Sequence, residues 1–206
     1  MSAAFAAFAA FVAGLAATSG LERASVVLGI AYSLLAVRRS RWCWVCGGLS
    51  AAILVYLSAR ARLPMQAGLQ VYYVAMSVYG FRRWVRHEKE AGSQVTTWPL
   101  RAHVAAWSGI LALSVISSQW LAAETGAAWP FLDSVTTWAS LLATWLVVRM
   151  KLENWLYWIA IDMVLVYLFG AQKLFFIALM FACYLCISVA GFLAWLKTYR
   201  LQAART

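Results

Sequence analysis

The sequence predicts an all-α membrane protein of seven transmembrane helices: two three-helix parallel repeats joined by one linker helix (3+1+3), plus a short N-terminal helix. Three observations predict it. Of 206 residues, 65% are apolar and 12% charged, with a mean hydropathy of +0.76. A soluble domain carries about 25% charged residues and needs polar surface for water. The apolar residues fall into seven runs, each close to the roughly 20 residues that a spanning helix needs. The chain also matches itself at an ungapped offset of 111 residues.

Taken in order, residues 3–17 (AAFAAFAAFVAGLAA) are apolar but short and Ala-rich, and they lack the basic leader of a signal peptide. They read as a helix at the interface or beside the bundle, within segment 1–20. Spans are expected at 21–37, 42–59 and 65–84, forming a first repeat over 21–84. The one long polar stretch, 85–101 (VRHEKEAGSQVTTWPLR), reads as a loop. Together with the fourth span, 102–121, it occupies segment 85–131. Spans at 131–149, 153–170 and 174–196 form the second repeat, 132–197, and 198–206 is a cytoplasmic tail.

The repeat is carried by particular residues. LVYL occurs at 54–57 and 165–168, and SVYGFRRW at 77–84 pairs with SVAGFLAW at 188–195. The same register pairs Arg38 with Arg149, Trp44 with Trp155 and Tyr73 with Tyr184. An odd unit followed by one linker span makes both units cross in the same direction, and carriers built this way hold substrate near mid-membrane between their halves. Seven spans place Arg38, Arg39, Arg41, Arg82, Arg83, Arg86, Lys89, Arg101, Arg149, Lys151, Lys197, Arg200 and Arg205 on one side. Only Arg23, Arg60, Arg62 and Lys173 fall on the other. The positive-inside rule then puts the N-terminus outside and the C-terminus inside. The net charge of +10 is explained by loops beside anionic lipid, with no nucleic-acid partner implied.

Chemistry at membrane depth rests on few residues. Gln70, Tyr73 and Ser77 share a face of the third span with Gly80 and Trp84, and the seventh span repeats the pattern with Tyr184, Ser188, Gly191 and Trp195. Packing or interfacial anchoring is the expectation for Gly80, Gly191, Trp84 and Trp195; substrate contact is considered for the deeper Gln70 and Tyr73. Trp155, Trp158 and Asp162 line up on the sixth span, with Asn154 beside them. An acid that deep defaults to a functional reading, and indole faces with a carboxylate suit a flat cation. Two CxxC pairs, Cys43/Cys46 and Cys183/Cys186, differ in depth and read as packing cysteines, so no metal and no cofactor is expected. His87 and His103 read as solvated.

The runs ENWLYWIAID (153–162), QVYYVAMSVYGFRRW (70–84) and GFLAW (191–195) resemble the PnuC nicotinamide riboside transporters, over about residues 21–84 and 131–197. The resemblance implies a SWEET-like fold, a homotrimer, and facilitated diffusion of nicotinamide riboside across a bacterial cytoplasmic (inner) membrane, with phosphorylation trapping the product. It implies substrate-binding roles for Trp155 and Trp158 as ring walls and for Asn154, Gln70 and Tyr73 as polar contacts. Asp162, Ser77 and Tyr184 complete the candidate set. Phe81 departs from the family's usual Trp, and Asp162 from an Asn in some members. The added charge makes thiamine the alternative cargo. An intramembrane enzyme would need a paired acid and base or a metal cluster, and a purely assembly role would not need the aromatic and acidic line on the sixth span.

Overall fold

The computed structural model describes residues 19–60, 64–90, 94–125 and 129–204. The expected helix at 3–17 lies outside them. Seven helices are described: α1 (Gly20–Val37), α2 (Trp42–Arg60), α3 (Pro64–Glu90), α4 (Leu100–Thr125), α5 (Pro130–Val148), α6 (Asn154–Ala171) and α7 (Phe175–Ala203). Among the described residues the sole β feature is an isolated bridge between Thr96 and Lys151. The protein is all-α.

Local chemistry sets the helix ends. Ser19 caps α1 in a reciprocal capping box: its hydroxyl accepts from the Glu22 N–H at 3.3 Å, and the Glu22 carboxylate accepts from the Ser19 N–H at 2.6 Å. Pro130 opens α5, where its missing N–H costs nothing. Helices α1 and α5 end alike. Arg39 (φ 55°) and Met150 (φ 52°) turn the chain in the left-handed region. The next N–H reaches back five residues, Ser40 to Leu35 O and Lys151 to Leu146 O, each at 3.0 Å. These paired atoms lie 111 positions apart.

Two helices outrun their expected spans. Helix α3 continues to Glu90, through the start of the expected 85–101 loop, and α7 continues to Ala203, through most of the expected tail. Hydropathy marks where apolar character stops, whereas VRHEKE and KTYRLQ contain no Gly or Pro and continue the helix. Six of the seven helices are long and apolar enough to cross a bilayer; α3 falls short of that apolarity among the described residues. Its polar residues Gln66, Gln70, Tyr73 and Ser77 face a cavity rather than lipid.

Helix α2 packs between α1 and α3, and α6 between α5 and α7. The two groups meet where α1 touches α7 and α3 touches α5, while α4 packs on α5. The end of the bundle that carries Arg38, Arg83 and Arg149, here the basic end, holds the densest core. Trp44, Trp84, Trp155 and Trp195 are all buried there, with Val148, Met150 and Leu152. Trp84 Nε1 donates to Val148 O at 3.1 Å, and Trp195 Nε1 donates to Ala36 O and Val37 O at 3.2 Å. Each group's third helix thus grips the end of the other group's first helix. Both indoles are 0% exposed, so they pack rather than anchor at the interface. Gly80 and Gly191 make room for this: a Cβ on either would collide with the ring of Trp44 or Trp155.

Residues 94–98 strap the same end. Thr96 N donates to Met150 O at 3.1 Å, Leu152 N to Thr96 O at 2.9 Å, and Val95 N to Gln202 Oε1 at 3.1 Å. Trp98 N donates to Glu153 Oε1 at 2.8 Å. His103, expected in solvent, is instead part-buried here: Nδ1 lies 3.1 Å from the Tyr157 hydroxyl and Nε2 3.7 Å from Glu153. A carboxylate held in place by the strap draws the imidazole in.

Candidate functional site

A cavity of about 500 Å³ lies between the two helix groups. Every helix except α4 contributes to its wall. At the basic end its floor is formed by buried residues, Ala36, Trp44, Val147 and Trp155. At the other end Gln66 and Asp133 are exposed, so the cavity opens there.

Seven of the eight candidate residues line it: Gln70, Tyr73, Ser77, Trp155, Trp158, Asp162 and Tyr184. The i, i+3, i+4 spacing that grouped them on α3 and α6 turns those faces inward. Asn154 is not among them. It is 0% exposed, lies outside the cavity wall, and its Nδ2 donates to Lys151 O at 2.6 Å. Its place at the start of α6 makes it part of the helix end, where its amide is spent on the Lys151 carbonyl of the preceding turn.

The polar lining is anchored within the protein. Ser188 Oγ donates to Asp162 Oδ2 at 3.0 Å, which ties α7 to α6 at the cavity wall. Tyr73 lies beside Ser140, which brings α3 against α5. The Tyr184 hydroxyl packs against Gly29, reaching from α7 to α1. Gly29 and Ser140 are again 111 apart, as are the two tyrosines. At mid-depth the two helix groups therefore meet through matched tyrosines, one beside a hydroxyl and the other resting on a glycine. Tyr72 adds a second α3–α5 tie, donating to Leu141 O at 2.9 Å.

Some lining residues escaped sequence reasoning. Helix α5 presents Asp133, Thr136, Thr137, Ser140 and Thr144 to the cavity, and α1 presents Tyr32 and Ser33. The steps of three and four from Asp133 to Thr144 were a signal of that face. The repeat offset was a second one, since it maps Ser33 onto Thr144. The electrostatics are one-sided: among the described residues Asp133 and Asp162 line the cavity and no Lys, Arg or His does. Both acids come from the α5–α7 group; the positions matching them in the α1–α3 group are Glu22, committed to its capping box, and Ala51. The cavity can thus stabilise a cation, offer ring faces from Trp155, Trp158 and Phe181, and hydrogen-bond hydroxyl groups.

Comparison with known proteins agrees with this geometry. The sequence profile of the nicotinamide mononucleotide transporter family matches residues 19–197. The nicotinamide riboside transporter PnuC of Neisseria mucosa is 28% identical over 177 residues, covering 79% of this chain and 66% of that one. PnuC of Escherichia coli is 24% identical, covering 66% of this chain and 68% of that one. The chain thus spans about two thirds of the length of these relatives. The riboflavin/roseoflavin transporter RibM of Streptomyces davaonensis is 27% identical, covering 82% and 81%. The crystal structure of the vitamin B3 transporter PnuC shares the fold, with a TM-score of 0.70 at 23% identity, covering 87% of this chain and 82% of that one. These named relatives are transporters rather than enzymes. The chain belongs to the nicotinamide mononucleotide transporter family, whose members include PnuC.

Proposed function

We propose that this protein carries nicotinamide riboside across a bacterial cytoplasmic membrane by facilitated diffusion. The observation that carries the reading is the cavity: indole and phenyl faces, hydroxyl groups, two carboxylates and, among the described residues, no basic side chain. Nicotinamide riboside has a flat cationic ring and a ribose rich in hydroxyls. Trp155 and Trp158 are its ring walls, Asp162 balances its charge, and Gln70, Tyr73, Ser77 and Tyr184 meet its polar groups. Asn154 takes no part in this site. A phosphorylated cargo such as the mononucleotide would bring its anionic group among two carboxylates without a cation to receive it. Riboflavin, the cargo in the name of RibM, has no positive ring for Asp162 to balance.

The basic end faces the cytoplasm in this reading. The structure then corresponds to a carrier open outward, its inner end closed by the four tryptophans. Two three-helix repeats, in the 3+1+3 SWEET-like order with α4 as linker, rock about the site to open the inner end. The matched hydrogen bonds of Trp84 and Trp195 support that symmetry. Phosphorylation of the product in the cytoplasm would keep the gradient inward. A homotrimer completes the picture.

Counterflow in proteoliposomes tests the proposal. Liposomes loaded with unlabelled nicotinamide riboside should accumulate the labelled compound without an ion gradient. Excess thiamine, the alternative flat cation, should compete weakly and the mononucleotide hardly at all. Stronger competition by thiamine than by the riboside itself would reassign the cargo. Absence of counterflow would end the carrier reading.

A further inference from the structure

Asp133 stands apart from the set of residues that bind at mid-depth. It occupies the first turn of α5, about 4.5 Å from that helix's start, whereas Asp162 lies about 13.5 Å from the Ala171 end of α6, the end on the same side of the bundle. The two carboxylates thus differ in depth by about 9 Å, with Asp133 at the open end. Its side chain is exposed and lines the cavity mouth with Gln66.

An acid in a first helical turn has an ordinary structural use, complementing the helix dipole or closing a capping box. The repeat allows a direct comparison. Glu22, at the matching position of α1, is tied to Ser19 in a capping box and lies outside the cavity. Helix α5 has Trp129 as its N-cap and no side-chain cap hydrogen bond, and the Asp133 carboxylate forms no hydrogen bond or ion pair among the described residues. Of the cations of this end, Arg23, Arg60 and Lys173 do not line the cavity, and Arg62 lies outside the described residues. One acid of the pair is therefore consumed by the fold, and the other has no partner for its carboxylate among the described residues at the mouth. Towards the same end, Phe169 and Phe181 stack at 5.5 Å with an interplanar angle of 2°, and both line the cavity.

We infer that Asp133 is an outer recognition residue, which draws a flat organic cation to the mouth of the cavity before it descends to Asp162. The inference rests on the carrier reading above. A carboxylate at an open mouth raises the encounter rate of a cation, and salt screens that attraction. An organic cation resting there also meets a ring surface on which to slide inward.

The test is initial uptake of labelled nicotinamide riboside into proteoliposomes by the full chain and by Asp133→Asn, Asp133→Glu and Glu22→Gln. Below about 20 mM salt, Asp133→Asn should raise KM by roughly 3- to 10-fold with the maximal rate held within about twofold. At about 0.5 M salt the difference should shrink below about twofold. Asp133→Glu should restore most of the low-salt KM, and Glu22→Gln should keep the wild-type KM. The neutral dihydropyridine form of the riboside should inhibit wild type and Asp133→Asn equally. An unchanged low-salt KM in Asp133→Asn overturns the inference, as does a rise that persists at high salt or extends to the neutral form. Failure of the wild-type chain to take up or bind either nicotinamide riboside or thiamine overturns the carrier reading, and this role with it.

Discussion

The indole N–H groups divide the four tryptophans at the basic end into two kinds. Those of Trp84 and Trp195 donate to carbonyls of the opposite helix group. Those of Trp44 and Trp155 are buried without a partner among the described residues. All four rings fill space, so Phe in place of any of them removes a similar volume. The hydrogen bond makes the difference. Trp84→Phe leaves the Val148 carbonyl unsatisfied in a dry interior, at a cost of about 1–3 kcal/mol. Trp44→Phe loses packing but also removes an unpaired buried donor, which offsets part of that loss. Thermal unfolding in detergent should place Trp84→Phe several degrees below Trp44→Phe, since about 1 kcal/mol corresponds to roughly 2–4 °C at this chain length. Equal melting temperatures would show that the reciprocal indole bonds contribute nothing to closure. At the same scale, Trp158→Ala should raise the KM for nicotinamide riboside on the order of tenfold through loss of a ring wall, with little change in melting temperature. The side chain is only partly buried, on the cavity wall.

Helices respond to glycine according to what faces it. Gly191 of α7 lies against the Trp155 ring and Gly80 of α3 against Trp44, whereas Gly109 of α4 has open space around it. Gly191→Ala must push Trp155 or separate α7 from α6, so both melting temperature and uptake should fall; overpacking of this kind costs about 1–3 kcal/mol. Gly109→Ala meets nothing and gains helix propensity, so it should be neutral or stabilising. A tolerated Gly191→Ala would show that the helix pair is loosely packed. Helices were the most legible part of the sequence. Their apolar runs located all seven, and capping and turn chemistry agree with the ends of α1 and α5. The overrun of α3 and α7 was hidden because an amphiphilic extension into water carries no apolar signal. His103 was misread because nothing local reveals that Glu153, fifty residues on, waits beside it.

Across the whole molecule, the cavity is a property of two facing helix groups, and its lining was legible only where one helix carries the whole pattern. Trp155, Trp158 and Asp162 on α6, and Gln70, Tyr73 and Ser77 on α3, share faces by spacing alone. The threonines and serines of α5 were passed over because such residues satisfy themselves on their own helix, as Ser140 and Thr144 do by donating to Thr136 O and Ser140 O. The charge of the finished cavity follows from both halves at once, and it allows a last prediction. Asn in place of Asp162 keeps the size of the side chain and an oxygen to accept from Ser188, so the fold should survive. The lost charge is another matter. At an effective dielectric of about 20 and about 5 Å, a unit pair is worth about 3 kcal/mol, so binding of nicotinamide riboside should weaken by on the order of tenfold to a hundredfold. Burial separates this change from one at the mouth. Asp162 is 3% exposed, out of reach of counterions, so its loss should persist at high salt. The neutral dihydropyridine form should bind Asp162→Asn as well as wild type, as measured by its inhibition of uptake. Equal weakening for both forms would mean that Asp162 serves shape rather than charge, and that the cavity selects its cargo by ring stacking and hydroxyl contacts alone.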